Sequence, residues 1–329
     1  MAIAFCLLSC ISIYSCKKDT SATGDTTQSN VTTTGDDEQE VSNEADIVSN
    51  DANTALNGQT DFSGNSISEM QSGTTVVNDV NGVNGNTVVN GLINVHQYIC
   101  DATITYDTAN GQRTITIVYD GTNCWGNRTR TGTVIISMPK GQHWKDVGAT
   151  ATITVDTLTI TRKRDGKTIV INGTKTIVNV SGGLLKDLAT LQTITHTING
   201  SLKVSFTNGS TSTWNVSKKR VFTYDNGIVI TTTGTYSDGT DDNIAEWGTN
   251  RFGESFKSLI SAPKVIRQDC DFRLVSGQNT VITNKGTGVI TYGLDSNGDP
   301  TGCPGTGSYY FKLVWSGSNG KTYTIIWPY

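Results

Sequence analysis

Apolar side chains alternate with threonine over most of the chain from about residue 92 to its end. In ATATITVDTLTITRKR, Ala151, Ile153 and Val155 occupy every second position, which is the pattern of a strand with one packed face. The apolar residues then change parity near residues 156–157, and a shift of one position is typical of a β-bulge. Asp-Gly and Asn-Gly pairs between such runs indicate tight hairpin turns. About a dozen strands joined in this way predict an all-β fold, a large antiparallel β-meander in an open or partly curled sheet.

Four of the seven cysteines lie within this region: Cys100, Cys124, Cys270 and Cys303. Four cysteines can pair in three ways, and hairpin geometry chooses among them. Folding residues 100–124 about their centre brings Cys124 just past the base of the hairpin, opposite Cys100, and the second pair behaves in the same way. We therefore predict two disulfides, each closing the base of one hairpin.

The first fifteen residues, MAIAFCLLSCISIYS, form an uncharged apolar run that is too short to cross a bilayer. Such a run is typical of a secretory signal, and we predict a lipoprotein signal peptide over residues 1–15. Cys16 follows the small Ser15 and resembles the cysteine of a bacterial lipobox, whose thiol carries a diacylglycerol. Cys16 is the predicted lipid-attachment and palmitate-labelling site, although the sequence before Cys10 also fits a lipobox.

Residues 16–90 are rich in polar and small side chains and predict a lipidated tether, disordered over residues 17–35. A short helix is predicted near residues 36–56, where apolar residues recur at helical spacing and must dock on another element. This stripe consists of Val41, Ala45, Val48, Ala52 and Leu56. The antiparallel β domain is predicted to cover residues 91–329.

Charge and motifs exclude several functions. A net charge of −4 argues against nucleic acid as a partner. The three histidines, His96, His143 and His196, lie far apart and have no carboxylate at a motif spacing. We predict no catalytic residue and no enzyme activity. The basic clusters at residues 162–164 and 218–220 are expected to be solvated or to protect a sheet edge.

Two sets of residues are candidates for binding. Trp125 and Trp247 lie in polar stretches, where an indole can stack on a sugar, and His143 lies in a predicted loop. Asp295, Asn297 and Asp299 place oxygen atoms at alternate positions, as a Ca²⁺ loop does. Their glycine placement departs from that of an EF-hand, and a tight turn is the simpler interpretation. No cofactor is predicted, with Ca²⁺ as the alternative.

Four segments, DGTNCWGNRTRTGTVIISM, TRKRDGKTIVINGTKTIVN, NGSTSTWNVSKKRVFTY and VIRQDCDFRLVSG, occur in this order. Together they resemble a family of secreted lipoproteins from Bacteroidota-type bacteria, and the resemblance covers roughly residues 95–327. It implies a signal with a lipobox, a polar tether and repeated hairpins with paired cysteines. It implies no activity.

Three functions remain open. The leading hypothesis is a cell-envelope lipoprotein, anchored in the outer membrane by lipid and periplasmic or surface-exposed, that acts as a non-enzymatic binding or structural surface. Its partners would be a glycan or another envelope protein. The alternatives are a glycan- or ligand-binding module for nutrient capture and a hydrolase of unknown type.

Overall fold

A computed structural model describes residues 26–64, 98–108, 112–318 and 320–329 of the chain. The predicted signal peptide, Cys16 and His96 lie outside these residues.

The described residues form one antiparallel sheet of fourteen strands, which confirms the predicted all-β meander. The strands are β1 (Ala102–Asp107), β2 (Gln112–Thr122), β3 (Arg128–Pro139), β4 (Ala149–Arg162), β5 (Thr168–Asn179), β6 (Thr193–Phe206), β7 (Thr211–Tyr224), β8 (Ile228–Gly234), β9 (Ile244–Thr249), β10 (Ser255–Arg267), β11 (Arg273–Thr283), β12 (Gly286–Leu294), β13 (Tyr310–Gly317) and β14 (Thr322–Pro328). Strands adjacent in sequence are neighbours in the sheet, with one exception. β8 and β9 do not pair with each other; both lie between β7 and β10, and each pairs with a different part of these two strands.

The helical elements are few. They are α1 (Thr26–Gly58), α2 (Thr60–Ser63) and α3 (Leu188–Leu191), with single 3₁₀ turns at Leu185–Asp187 and Gln268–Cys270. The structure extends α1 ten residues before the helix predicted near 36–56, into the segment 17–35 that was expected to be disordered. None of the described helices combines the length and the apolar character that a membrane crossing requires.

The sheet curls around α1. Two contacts between strands distant in the sheet demonstrate this curvature. The indole Nε1 of Trp125, after β2, donates to the carbonyl oxygen of Asp271, before β11, at 3.2 Å. The guanidinium of Arg164, after β4, lies 5.3 Å from the ring centre of Trp327 in β14. The predicted apolar stripe of α1 is fully buried against the inner face of the sheet. The helix that was predicted as part of a tether is thus the centre of the core.

The predicted bulge is present in β4. The pairing of β4 with β5 shifts between Val155 and Leu158, and Thr157 adopts a left-handed φ of 51°. On the neighbouring strand, Gly132 has a φ of +120°, and a Cβ atom there would lie 2.3 Å from the carbonyl oxygen of Thr157. Glycine is therefore required opposite the bulge.

Both predicted disulfides are confirmed. Cys100 pairs with Cys124 and Cys270 pairs with Cys303, with Cα–Cα distances of 5.3 and 5.2 Å. They link points 24 and 33 residues apart in sequence, near the two loops that meet at Trp125 and Asp271.

Replacing Cys100 and Cys124 together by serine is expected to lower the free energy of unfolding by about 2–4 kcal/mol, because the unfolded chain regains the freedom of the closed loop. Urea unfolding measures the change. Dithiothreitol should lower the midpoint of the wild type more than that of the double variant, which keeps only the second disulfide. Equal midpoints for wild type and variant under oxidising conditions would contradict the prediction.

Candidate functional site

The inner face of the sheet carries cations at positions that strand alternation assigns to the core. On β7 the buried positions recur at every second residue: Trp214, Val216, Lys218, Arg220 and Phe222. Lys264 on β10 is also buried. A buried charge is costly unless it is paired. The partners come from α1, which carries seven acidic side chains and no basic one.

Asp46 of α1 is the centre of a cluster of buried charges. Its carboxylate lies 2.9 Å from each of three cationic nitrogens, on Lys218, Arg220 and Lys264. Burial acts to raise the pKa of Asp46, but these three cations hold it well below its usual value. One carboxylate thus connects β7, β10 and the helix.

Similar ion pairs between helix carboxylates and strand cations occur along the rest of α1. Asp36 lies 2.7 Å from Arg162 and 2.6 Å from Arg164, and Asp51 lies 2.9 Å from Arg130 on β3. Burial alone would raise the pKa of Asp36, yet the hydrogen bond and charge of Arg162 lower it. The expectation that residues 162–164 and 218–220 are solvated is therefore wrong for Arg162, Lys218 and Arg220. These side chains neutralise the helix.

Two buried glutamates, Glu38 and Glu246, come together beside Lys218. The carboxylate of Glu246 lies 2.6 Å from the Lys218 ammonium. Burial and, as a smaller cause, the charge of Glu246 together raise the pKa of Glu38 to about 8. A hydrolase could use two such carboxylates, but it needs room for substrate between them. The cavity beside Glu38 has a volume of only about 10 Å³, enough for one water molecule.

Lys175 on β5 lies completely beneath the helix. Its ammonium donates to the carbonyl oxygen of Ala45 at 2.6 Å and to the hydroxyl of Ser49 at 2.7 Å. Burial, together with the charge of Arg220, lowers the pKa of Lys175 to about 7. A lowered pKa is common for a catalytic lysine, but this amine is buried, and within the described residues its hydrogen bonds go to the helix. Its role is to hold α1.

A larger cavity, of about 60 Å³, lies where α1 meets the two disulfide-framed loops. We call it the seam cavity. Its walls come from the helix, from the loop between β2 and β3, and from residues around β10, β11 and β13. Its lining includes Asn43, Asp46, Ile47, Asn50, Trp125, Asn127, Arg128, Lys264, Ile266, Phe272, Arg273, Leu274, Tyr309 and Tyr329. The partly exposed side chain of Trp125 lies both at the protein surface and in the lining of this cavity.

Of the three predicted ligand-binding residues, only Trp125 lines the seam cavity. Trp247 on β9 stacks on Tyr236, with ring centres 4.2 Å apart. The half-exposed imidazole of His143 lies 3.7 Å from Asp146. The neighbouring Trp144 is buried, and its Nε1 donates to Asn53 of α1 at 3.0 Å. The structure does not bring these three candidates together.

The proposed Ca²⁺ ligands, Asp295, Asn297 and Asp299, form a tight turn. The Asp295 carboxylate accepts backbone N–H bonds from Asn297 at 2.8 Å and from Asp299 at 3.0 Å. These backbone bonds account for the lowered pKa of Asp295. The turn thus explains the spacing of the oxygen atoms.

One further group has the composition of a metal site: Asp269, Cys270 and Cys303. Cys270 and Cys303 are joined in a disulfide, and a metal is bound by free thiolates. The residues present therefore do not fit a metal ion.

Comparison with protein families, with curated proteins and with solved structures finds no match to this chain. Function must therefore be inferred from the arrangement of the residues themselves.

Proposed function

We propose that the protein is a lipid-anchored envelope protein that acts as a non-enzymatic binding or structural surface. The observation that carries this proposal is the filling of the sheet interior by the protein's own helix. Asp46 and the other acids of α1 occupy the cationic inner face, and the cavity beside Glu38 and Asp37, of about 10 Å³, has room for no more than about one water molecule. Ligands and partners would therefore meet the outer surface or the seam cavity.

The anchoring part of the proposal is supported by the sequence and by the disulfides. The apolar start and the lipobox-like cysteine indicate export and lipidation at Cys16. Two disulfides are typical of a protein that folds in an oxidising compartment outside the cytoplasm. An outer-membrane location, on either leaflet, is consistent with both.

Metabolic labelling with palmitate tests the anchor. Cells that produce the full chain should label the wild type strongly, and Cys16→Ser should lose the label because the acceptor thiol is gone. Cys10→Ser is the matched control and should keep it. Unchanged labelling of Cys16→Ser would overturn the anchor at this residue, and loss in Cys10→Ser alone would move it to Cys10.

A further inference from the structure

Two loops fixed by disulfides and the helix α1 supply three of the walls of the seam cavity, beside residues around β10, β13 and β14. Cys124 directly precedes Trp125, and Cys270 lies two residues before Phe272. The third wall is α1, whose Ile47 and Asn50 are only partly buried although the neighbouring helical residues are buried. The cavity is thus a preformed opening between rigid parts.

Aromatic rings dominate one side of this opening. Trp125 is 37% exposed, and the bond from its Nε1 to Asp271 fixes the plane of the indole. Tyr309 and Tyr329 also line the cavity and stand nearly parallel, with an angle of 20° between their planes. Flat aromatic faces bind the apolar face of a pyranose ring, as well as other rings. This wall therefore favours a cyclic ligand.

Polar groups with unused hydrogen-bonding capacity also line the cavity. The hydroxyl of Tyr309 is buried and has no hydrogen-bond partner in the described part of the chain. Asn50 and Asn127 accept hydrogen bonds through Oδ1, from Arg220 at 2.7 Å and from Asn123 at 2.8 Å. Their amide nitrogens remain as donors. A buried hydroxyl without a partner is costly, and a ligand hydroxyl or water would satisfy it.

The cations around the cavity are already neutralised or hydrogen-bonded. Arg128 lies 2.5 Å from Glu44, and Lys264 lies 2.9 Å from Asp46. Arg273 donates to three backbone carbonyl oxygens at 2.9–3.1 Å. An anionic ligand would have to displace these bonds, whereas a neutral one would not. The chemistry of the walls thus matches hydroxyl groups and a ring without charge.

We infer that the seam cavity binds the terminal ring of a neutral saccharide. The ring stacks on Trp125, and its hydroxyls meet Tyr309 and the two amides. A volume of about 60 Å³ is several times that of one water but below the roughly 150 Å³ that encloses a benzene ring. The hydroxyl-bearing edge of a chain-terminal ring therefore enters the cavity, while the face of the ring stacks on the exposed Trp125. This inference rests on the proposed binding function and names its ligand class.

Titration of the full chain with methyl glycosides of glucose, galactose and mannose, followed by tryptophan fluorescence and calorimetry, tests the site. At least one glycoside is expected to bind. Trp125→Ala should weaken that binding at least tenfold, and Tyr309→Phe should weaken it roughly threefold to tenfold, as loss of one hydrogen bond does. Trp247→Ala is the matched control and should bind as the wild type does.

Unfolding curves in urea establish whether each variant is folded. If Trp125→Ala does not fold, Tyr309→Phe alone tests the site. Equal affinity in wild type and in both cavity variants would overturn the site. Binding of none of the glycosides at millimolar concentration, or tighter binding of glucuronic acid than of glucose, would overturn the neutral-sugar class. Neither result bears on the proposed lipid anchor, which palmitate labelling of the Cys16→Ser variant tests separately. Release of reducing sugar from a longer saccharide would overturn the non-enzymatic function instead.

Discussion

Asp46→Asn is expected to lower the free energy of unfolding by about 3–5 kcal/mol, because it leaves buried cations without a counter-charge. The variant keeps the shape of the side chain but removes the charge that Lys218, Arg220 and Lys264 share at 2.9 Å. A loss of this size is a large part of the stability of a typical domain, which is about 5–15 kcal/mol. Urea unfolding at neutral pH, with intact disulfides, measures it.

Asp225→Asn is the matched control for this experiment. Asp225 pairs with Arg267 at 3.1 Å, but its side chain is mostly exposed, so water and salt screen the pair. Its unfolding midpoint should remain close to that of the wild type. If Asp46→Asn shifts the midpoint no more than this control, the charge cluster is not what holds α1 in the sheet.

Glu38→Gln is expected to become more stable than the wild type as the pH rises. The folded-state pKa of Glu38 is raised to about 8 from the ordinary value of 4.5. The folded protein therefore keeps a proton that the unfolded chain has released between these values. The stability that this proton supplies is complete below pH 4.5 and is lost as the pH rises through 8. Glutamine cannot ionise, so the variant avoids the loss.

The expected difference in the free energy of unfolding between variant and wild type is near zero at pH 4.5 and grows to on the order of 5 kcal/mol at pH 9. Unfolding curves in urea at several pH values measure it. Glu254→Gln makes the same chemical change near the surface and controls for the amide itself. A difference that stays constant with pH would show that Glu38 is ionised and accommodated in the folded protein.

Much of the sheet could be predicted from local pattern. The parity change near residues 156–157 identified the bulge because a strand has only two faces, so one inserted residue must show in the alternation. The cysteine pairs could be predicted because the length of each hairpin determines which residue lies opposite the first cysteine. Both features depend on contacts between segments adjacent in sequence.

The position of α1 could not be predicted with the same reasoning. An acidic stretch is usually solvated, and basic residues on strands usually face water. One signal was present: on β7, Lys218 and Arg220 share the parity of Trp214 and Phe222, so an alternating core row contains two cations. Such a row requires a buried anion, and α1 is rich in acids. The seam cavity was beyond sequence reasoning, because its walls come from segments far apart in the chain.

The wrapping of α1 by the sheet also sets the order in which the chain can fold. The ion pair between Asp46 and Lys264 joins residues 218 positions apart, and Arg251 binds Asp37 across 214 positions. The helix leaves the ribosome before the strands that enclose it, yet it cannot complete these pairs until β10 has followed. Contacts between such distant residues slow folding.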